Sequence, residues 1–169
     1  VRAYWDGTQL ISRQGNVFAV PAWFSAEFPN VSLDGALWMG RGTFDALSGA
    51  VRKTTPVDSA WRGIRSMGFD MPAQAGDFNQ RLQQLRALFA HTHSPYIAMV
   101  AQENLPNQKA LMARLDQVVN AGGEGLMLHL GSAPYRGVRS DDLLKLKRFE
   151  DAEATVLAHI AGTGKYQGM

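Results

Sequence analysis

The sequence predicts an α+β fold, and three observations carry that prediction. Short β-like runs punctuated by turn residues fill the first forty residues, helical stripes occupy the middle, and short apolar runs return near the end. A chain of 169 residues with 46% hydrophobic and 19% charged residues suits one folded core, with room for the start of a second module.

The elements follow in order. Residues 3–5 and 10–13 flank Asp6-Gly7, a hairpin signal, and Gln14-Gly15-Asn16 leads into a further apolar run over 17–20. Pro21 opens a helical turn over 22–28, and residues 32–39 return to strand. Thr43 is placed to cap a short helix over Phe44–Val51. Residues 64–71 read as a strand ending at Pro72. Phe78, Leu82, Leu85 and Phe89 form the single apolar stripe of an amphipathic helix. Residues 96–100 are a short strand, and Leu111, Leu115, Val118 and Val119 mark a second helix that Gly122-Gly123 stops. The run over 125–130 is apolar enough for a strand buried on both faces, with both helices packed on its sheet. From Leu143 a strand sends Lys145 and Lys147 to one side and Leu144 and Leu146 to the other. Residues 150–153 precede another strand over 154–160, where a new module begins. Two domains are therefore expected, residues 1–149 and the first part of a second over 150–169.

Composition excludes several classes of function. A count of 17 Lys+Arg against 15 Asp+Glu gives +2, so nucleic-acid contact requires a local basic face. Zero cysteines remove disulfides, thiolate metal sites and Cys nucleophiles. No apolar run is long enough to span a membrane. The sequence has no GxxxxGK[ST] loop, no GxGxxG and no GxSxG. Val1 to Asp6 look like the inside of a strand, so the chain reads as beginning partway through a larger protein.

Charged residues beside apolar strand residues are candidates for a polar cleft: Arg2, Arg13, Asp34, Glu124, Lys145 and Lys147. Glu124, framed by glycines, reads either as a solvated loop acid or as a metal ligand, since Mg²⁺ needs only one or two protein carboxylates. Lys145 and Lys147 are either an exposed strand face or a phosphate site, and Phe69 is either core or a platform for a base. Arg13 suits a hairpin turn as well as a ligand. His91 and His93, two residues apart, do not face each other on a helix, and His129 reads as a satisfied strand residue.

The order of these signals changes their weight. Val1-Arg2, Ser12-Arg13-Gln14-Gly15, Leu33-Asp34-Gly35, Phe69-Asp70, Glu124-Gly125 and Leu144-Lys145-Leu146-Lys147 resemble the collinear motifs of the covalent nucleotidyltransferases. Within them, Tyr4-Trp5-Asp6-Gly7, 37–42, Phe69-Asp70-Met71-Pro72 and 139–147 look like the small bacterial ATP-dependent DNA ligases. The resemblance implies a nucleotidyltransferase adenylation domain, antiparallel sheets flanked by helices, followed by the start of an OB-fold β-barrel. It implies ATP as substrate, Mg²⁺ or Mn²⁺, nicked duplex DNA as partner, no membrane, a monomer, and a bacterial cytoplasmic or periplasmic setting. A lysine takes AMP from ATP, AMP passes to the 5′-phosphate at a nick, and the 3′-hydroxyl displaces it.

By the same resemblance Arg2, Lys145 and Lys147 are catalytic and bind the nucleotide phosphates. Arg13 contacts AMP or the nick 5′-phosphate, Arg41 contacts DNA, Phe69 stacks on adenine, and Glu124, with Asp34, holds the metal. The four cations should converge on one cleft with Glu124 at its edge, and DNA affinity should fall steeply with salt. Two departures qualify this. The nucleophilic lysine of K-x-D-G belongs immediately upstream of Val1, so the sequence as written lacks the group for the first step. Ala36 stands where the family writes Glu, at an implied cost in nucleotide binding of about 1.5–3 kcal/mol. Ser66 and Gly68 also interrupt a strand that the family makes apolar, which points to altered packing there. Two alternatives share the motifs: a catalytically inactive nucleotide or nicked-DNA binding module, and an RNA ligase or capping-type nucleotidyltransferase.

Overall fold

The computed structural model describes residues 1–149. The expected OB-fold beginning and the domain over 150–169 lie outside the described residues. Three segments build the first half of a five-stranded sheet: β1 (Arg2–Trp5), β2 (Leu10–Ser12) and β3 (Leu33–Trp38). Between them, α1 (Ala22–Ser25) starts after Pro21. The remaining elements are α2 (Phe44–Val51), α3 (Asp58–Trp61), β4 (Arg65–Asp70), α4 (Phe78–Ala90), β5 (Ile97–Met99), α5 (Gln108–Asn120), β6 (Gly125–His129) and β7 (Leu143–Lys147). The large sheet has the order β2-β1-β3-β4-β5, antiparallel except for the parallel β4–β5 pair, and β6 and β7 form a separate antiparallel pair.

Alternation along the strands separates the two faces of the large sheet. Ala3, Trp5, Leu10, Leu33, Leu37 and Ile97 are buried, and they close on Phe24, Trp61 and Leu85 from the helices and on Ile64 just before β4. The opposite face carries Arg2 and Ala36, which pair across β1 and β3, with Met67 next in the row on β4. Asp34 and Trp38 share that face of β3 by alternation.

Several local expectations need correcting. Residues 17–20 contribute only an isolated bridge, Ile11 to Val17, because the chain turns away toward Pro21. Thr43 occupies the N-cap position of α2 but makes no cap bond; its hydroxyl donates to the Gly40 carbonyl at 2.7 Å instead. The working caps belong to the longer helices. Asp77 and Gln80 form a capping box on α4, and Asn107 accepts from Ala110 N on α5. The β6 strand is not buried on both faces: every residue is half-buried or exposed, since it belongs to a two-stranded sheet against which α5 packs. The helices divide accordingly, α4 on β4 and β5, α5 on β6. Ser66 and Gly68, the strand's polar and small interruptions, are both buried, and a Cβ on Gly68 would lie 3.3 Å from the Phe89 ring.

Candidate functional site

Arg2 lies at the start of β1, and its guanidinium forms a two-pronged pair with Asp34: Nε donates to Oδ1 at 2.9 Å and an Nη donates to Oδ2 at 2.5 Å. Asp34 is 3% exposed, whereas half of the Arg2 side chain faces solvent. The same guanidinium stands 4.9 Å from the centre of the Phe69 ring, within cation–π range. The buried carboxylate thus fixes the orientation of a cation whose outer side is free.

Backbone irregularity brings Phe69 there. Gly35 pairs with Gly68 and Asp34 with Asp70, so Phe69 is the extra residue of a β-bulge. Bulges redirect a side chain out of the strand's regular alternation. At the same step β4 comes so close to β3 that a Cβ on Gly35 would lie 2.4 Å from the Met67 carbonyl oxygen. The Asp-Gly pair therefore has two separate physical reasons: Asp34 grips Arg2, and Gly35 admits the neighbouring strand. Ala36, opposite Arg2, is half-buried.

The second group of charges is on the small sheet. Lys145 pairs with Met127 and Lys147 with Gly125, placing both lysines on one face of β7 as the alternation predicts. Gly125 is again a close approach, for a Cβ there would lie 2.2 Å from the Leu146 carbonyl oxygen. Lys147 Nζ is 3.4 Å from Glu124, whose side chain is 89% exposed, and Lys145 is exposed.

The structure therefore brings Arg2, Asp34 and Phe69 together, and Glu124 with Lys147. Arg13 is exposed on the turn that follows β2, whose last residue pairs with Ala3 beside Arg2. Arg41 donates to the Ala121 carbonyl at the end of α5 at 2.5 Å, a favourable place for a cation at a helix C-terminus. Asp34 does not fit the metal-ligand expectation, because both of its oxygens are taken by Arg2 and by the Tyr135 hydroxyl, which donates to Oδ2 at 2.9 Å. Glu124 does fit: its carboxylate is open to water, and a hydrated Mg²⁺ needs only one such group. No cluster of three or more His, Asp or Glu suited to a metal occurs among the described residues.

Two residues that sequence reasoning missed connect the groups. Arg81 on α4 forms a buried pair with Asp70, with Nε 2.7 Å from Oδ1, and also donates to the carbonyls of Gly76 and Ala133. Tyr135 reaches Asp34 from the β6–β7 connection. Arg81 falls on the buried side of the α4 stripe, between Phe78 and Leu85, which was the available signal; nothing local marks Tyr135. His129 stacks on Phe78 with ring centres 4.2 Å apart, and burial lowers its pKa.

No protein-family profile matches the sequence. A DNA ligase of Haemophilus influenzae is 35% identical over all 169 residues, which correspond to 62% of its own length. A DNA ligase of Cenarchaeum symbiosum is 50% identical over 50 residues, 29% of this chain and 8% of that one. Among solved structures, a Lig E DNA ligase, studied for DNA binding with a minimal scaffold, superposes with a TM-score of 0.88 at 46% identity, covering 99% of this chain and 66% of that chain. A Chlorella virus DNA ligase-adenylate superposes with a TM-score of 0.72 at 21% identity, covering 95% of this chain and 62% of that one, a likeness of fold. The chain thus spans a little under two thirds of the Haemophilus, Lig E and Chlorella virus proteins. No helix among the described residues is long and apolar enough to cross a membrane. Full-length similarity to one ligase, close superposition on another and the ordered motifs agree, and the chain belongs to the ATP-dependent DNA ligases, whose adenylation-domain fold it carries.

Proposed function

We propose that this chain serves the sealing of nicks in duplex DNA, with ATP supplying AMP through enzyme–AMP and DNA–adenylate intermediates. The observation that carries the reading is the Arg2 guanidinium, held by buried Asp34 beside Phe69 on the open face of the large sheet. A fixed, planar set of donors suits phosphoryl oxygens, and an adjacent aromatic ring suits a base. Lys145 and Lys147 add two point charges that stabilise negative charge developing at the α-phosphate. Glu124 would hold Mg²⁺ or Mn²⁺, which when bound would neutralise phosphate charge. Arg13 is assigned to AMP or the 5′-phosphate of the nick, and Arg41, through its remaining donors, to the DNA backbone. The protein acts as a monomer.

The test is label transfer from α-labelled ATP with Mg²⁺, performed on this chain and on the same chain extended upstream by a K-x-D-G segment. Label on the extended chain alone is the expected result. Label on neither would overturn the reading in favour of a nucleotide or nick-binding module. Label on both would assign the nucleophile to a lysine within residues 1–169.

A further inference from the structure

The segment joining β6 to β7 is docked chiefly near its beginning. Phe78 N donates to the Ala133 carbonyl at 2.8 Å, Asn79 N to the Gly131 carbonyl at 2.9 Å, and the Arg81 guanidinium to the Ala133 carbonyl at 3.1 Å. Two residues further on, the half-buried Tyr135 ring lies 5.8 Å from the Arg81 guanidinium and its hydroxyl lies 2.9 Å from Asp34 Oδ2. That contact spans 101 positions of sequence and ends on the carboxylate that orients Arg2. Oδ2 accepts from both Arg2 and Tyr135, while Oδ1 accepts from Arg2 Nε. A buried carboxylate with one cation is held in a single orientation only when its other lone pairs are also satisfied.

We propose that Tyr135 is a positioning residue: its hydroxyl locks the Asp34 carboxylate in the orientation that holds Arg2 beside Phe69, and fastens the segment leading to Lys145 and Lys147 onto the Arg2 sheet. The effect on nucleotide binding rests on the function proposed above; the effect on Arg2 does not. Burial, reinforced by the charge of Asp34, raises the Tyr135 pKa, so the hydroxyl remains a donor throughout the neutral range. Tyr135→Phe removes that donor alone, because the ring and the three bonds at Gly131 and Ala133 do not depend on it.

Two measurements on the 169-residue chain decide the matter. Solvent exchange of the Arg2 Nε proton, followed by NMR, should quicken about three- to tenfold in Y135F, the worth of one hydrogen bond, while the amide protons of Leu37 and Leu85 keep their rates. Unchanged Arg2 exchange, or quickening shared with the core amides, overturns the proposal. Equilibrium binding of ATP should weaken about fivefold in Y135F and change less than about twofold when the same substitution is made on Arg2→Ala. Equal losses in both backgrounds would show that Tyr135 does not act through Arg2. A parent chain that binds no ATP would refute the nucleotide reading, and the Arg2 exchange rate alone would then decide the role of Tyr135.

Discussion

The two sheets hold their cations in opposite ways. On the large sheet, one face is packed with Trp5, Leu10, Leu33 and Leu37, and the other presents Arg2 from a fork with a buried carboxylate. On the β6–β7 pair no residue is buried, and Lys147, its side chain 42% exposed, meets across 3.4 Å a Glu124 carboxylate that lies largely in water. A two-stranded sheet is marginal by itself, so this one depends on α5 and on the 131–135 segment. Rigidity is therefore concentrated where the direction of a donor matters. On the function proposed above, lysines without such a fork suffice where the requirement is charge, since an ammonium is a point charge and a guanidinium a planar fork.

Breaking the strut between the halves should have the largest effect. Arg81→Ala leaves the buried Asp70 carboxylate without its cation and removes a bond to Ala133, and we expect a loss of about 3–5 kcal/mol in urea unfolding. A loss under about 1 kcal/mol would mean that the halves are joined by other contacts. Next in size is a matched pair. Leu85→Ala, at a fully buried position, should cost about 2–5 kcal/mol, whereas Leu144→Ala, at a position half exposed on the small sheet, should stay within about 0.5 kcal/mol. Similar losses at the two positions would erase the contrast between the sheets. Gly35→Ala comes third, at about 1–3 kcal/mol, because the obstacle to the new methyl is the Met67 backbone and not a side chain that can swing away.

The layout of the large sheet was legible because its signals are local. Asp-Gly marked the first hairpin, the 78/82/85/89 stripe marked α4, and Phe44–Val51 matched α2 residue for residue. Two readings failed for one physical reason: an apolar composition does not say how many neighbours a strand will find. Residues 125–130 are apolar yet lie in a two-stranded sheet, and residues 17–20 never extend a ladder. Within the site, motif order picked out Arg2, Asp34 and Phe69, but not the role of Asp34. Its oxygens are committed by Arg2 and, at Oδ2, also by Tyr135, which lies 101 residues away, and no local pattern reports a partner at that range. Arg81 is similar, since an arginine on the apolar side of a helix becomes meaningful only once Asp70 is seen to face it.

The smallest expected effect tests the seam between the sheets through pH. His129, at the end of β6, stacks on Phe78 at the start of α4. Burial lowers its pKa below the usual 6.5, the nearby Asp70 charge opposes that shift, and Arg81 adds to it. The unfolded chain therefore binds a proton at this position more readily than the folded one. Stability contributed by neutral His129 is fully present above pH 6.5 and is lost as pH falls through the lower folded value. Urea midpoints should decline over that interval in the parent chain. In His129→Gln the decline should be shallower, because a side chain that takes up no proton replaces the buried imidazole. Equal slopes in the two proteins would show that the stacked ring accepts its proton without loosening the contact between β6 and α4. The Ala133 and Gly131 hydrogen bonds to α4 would then hold the seam whatever the charge on the imidazole.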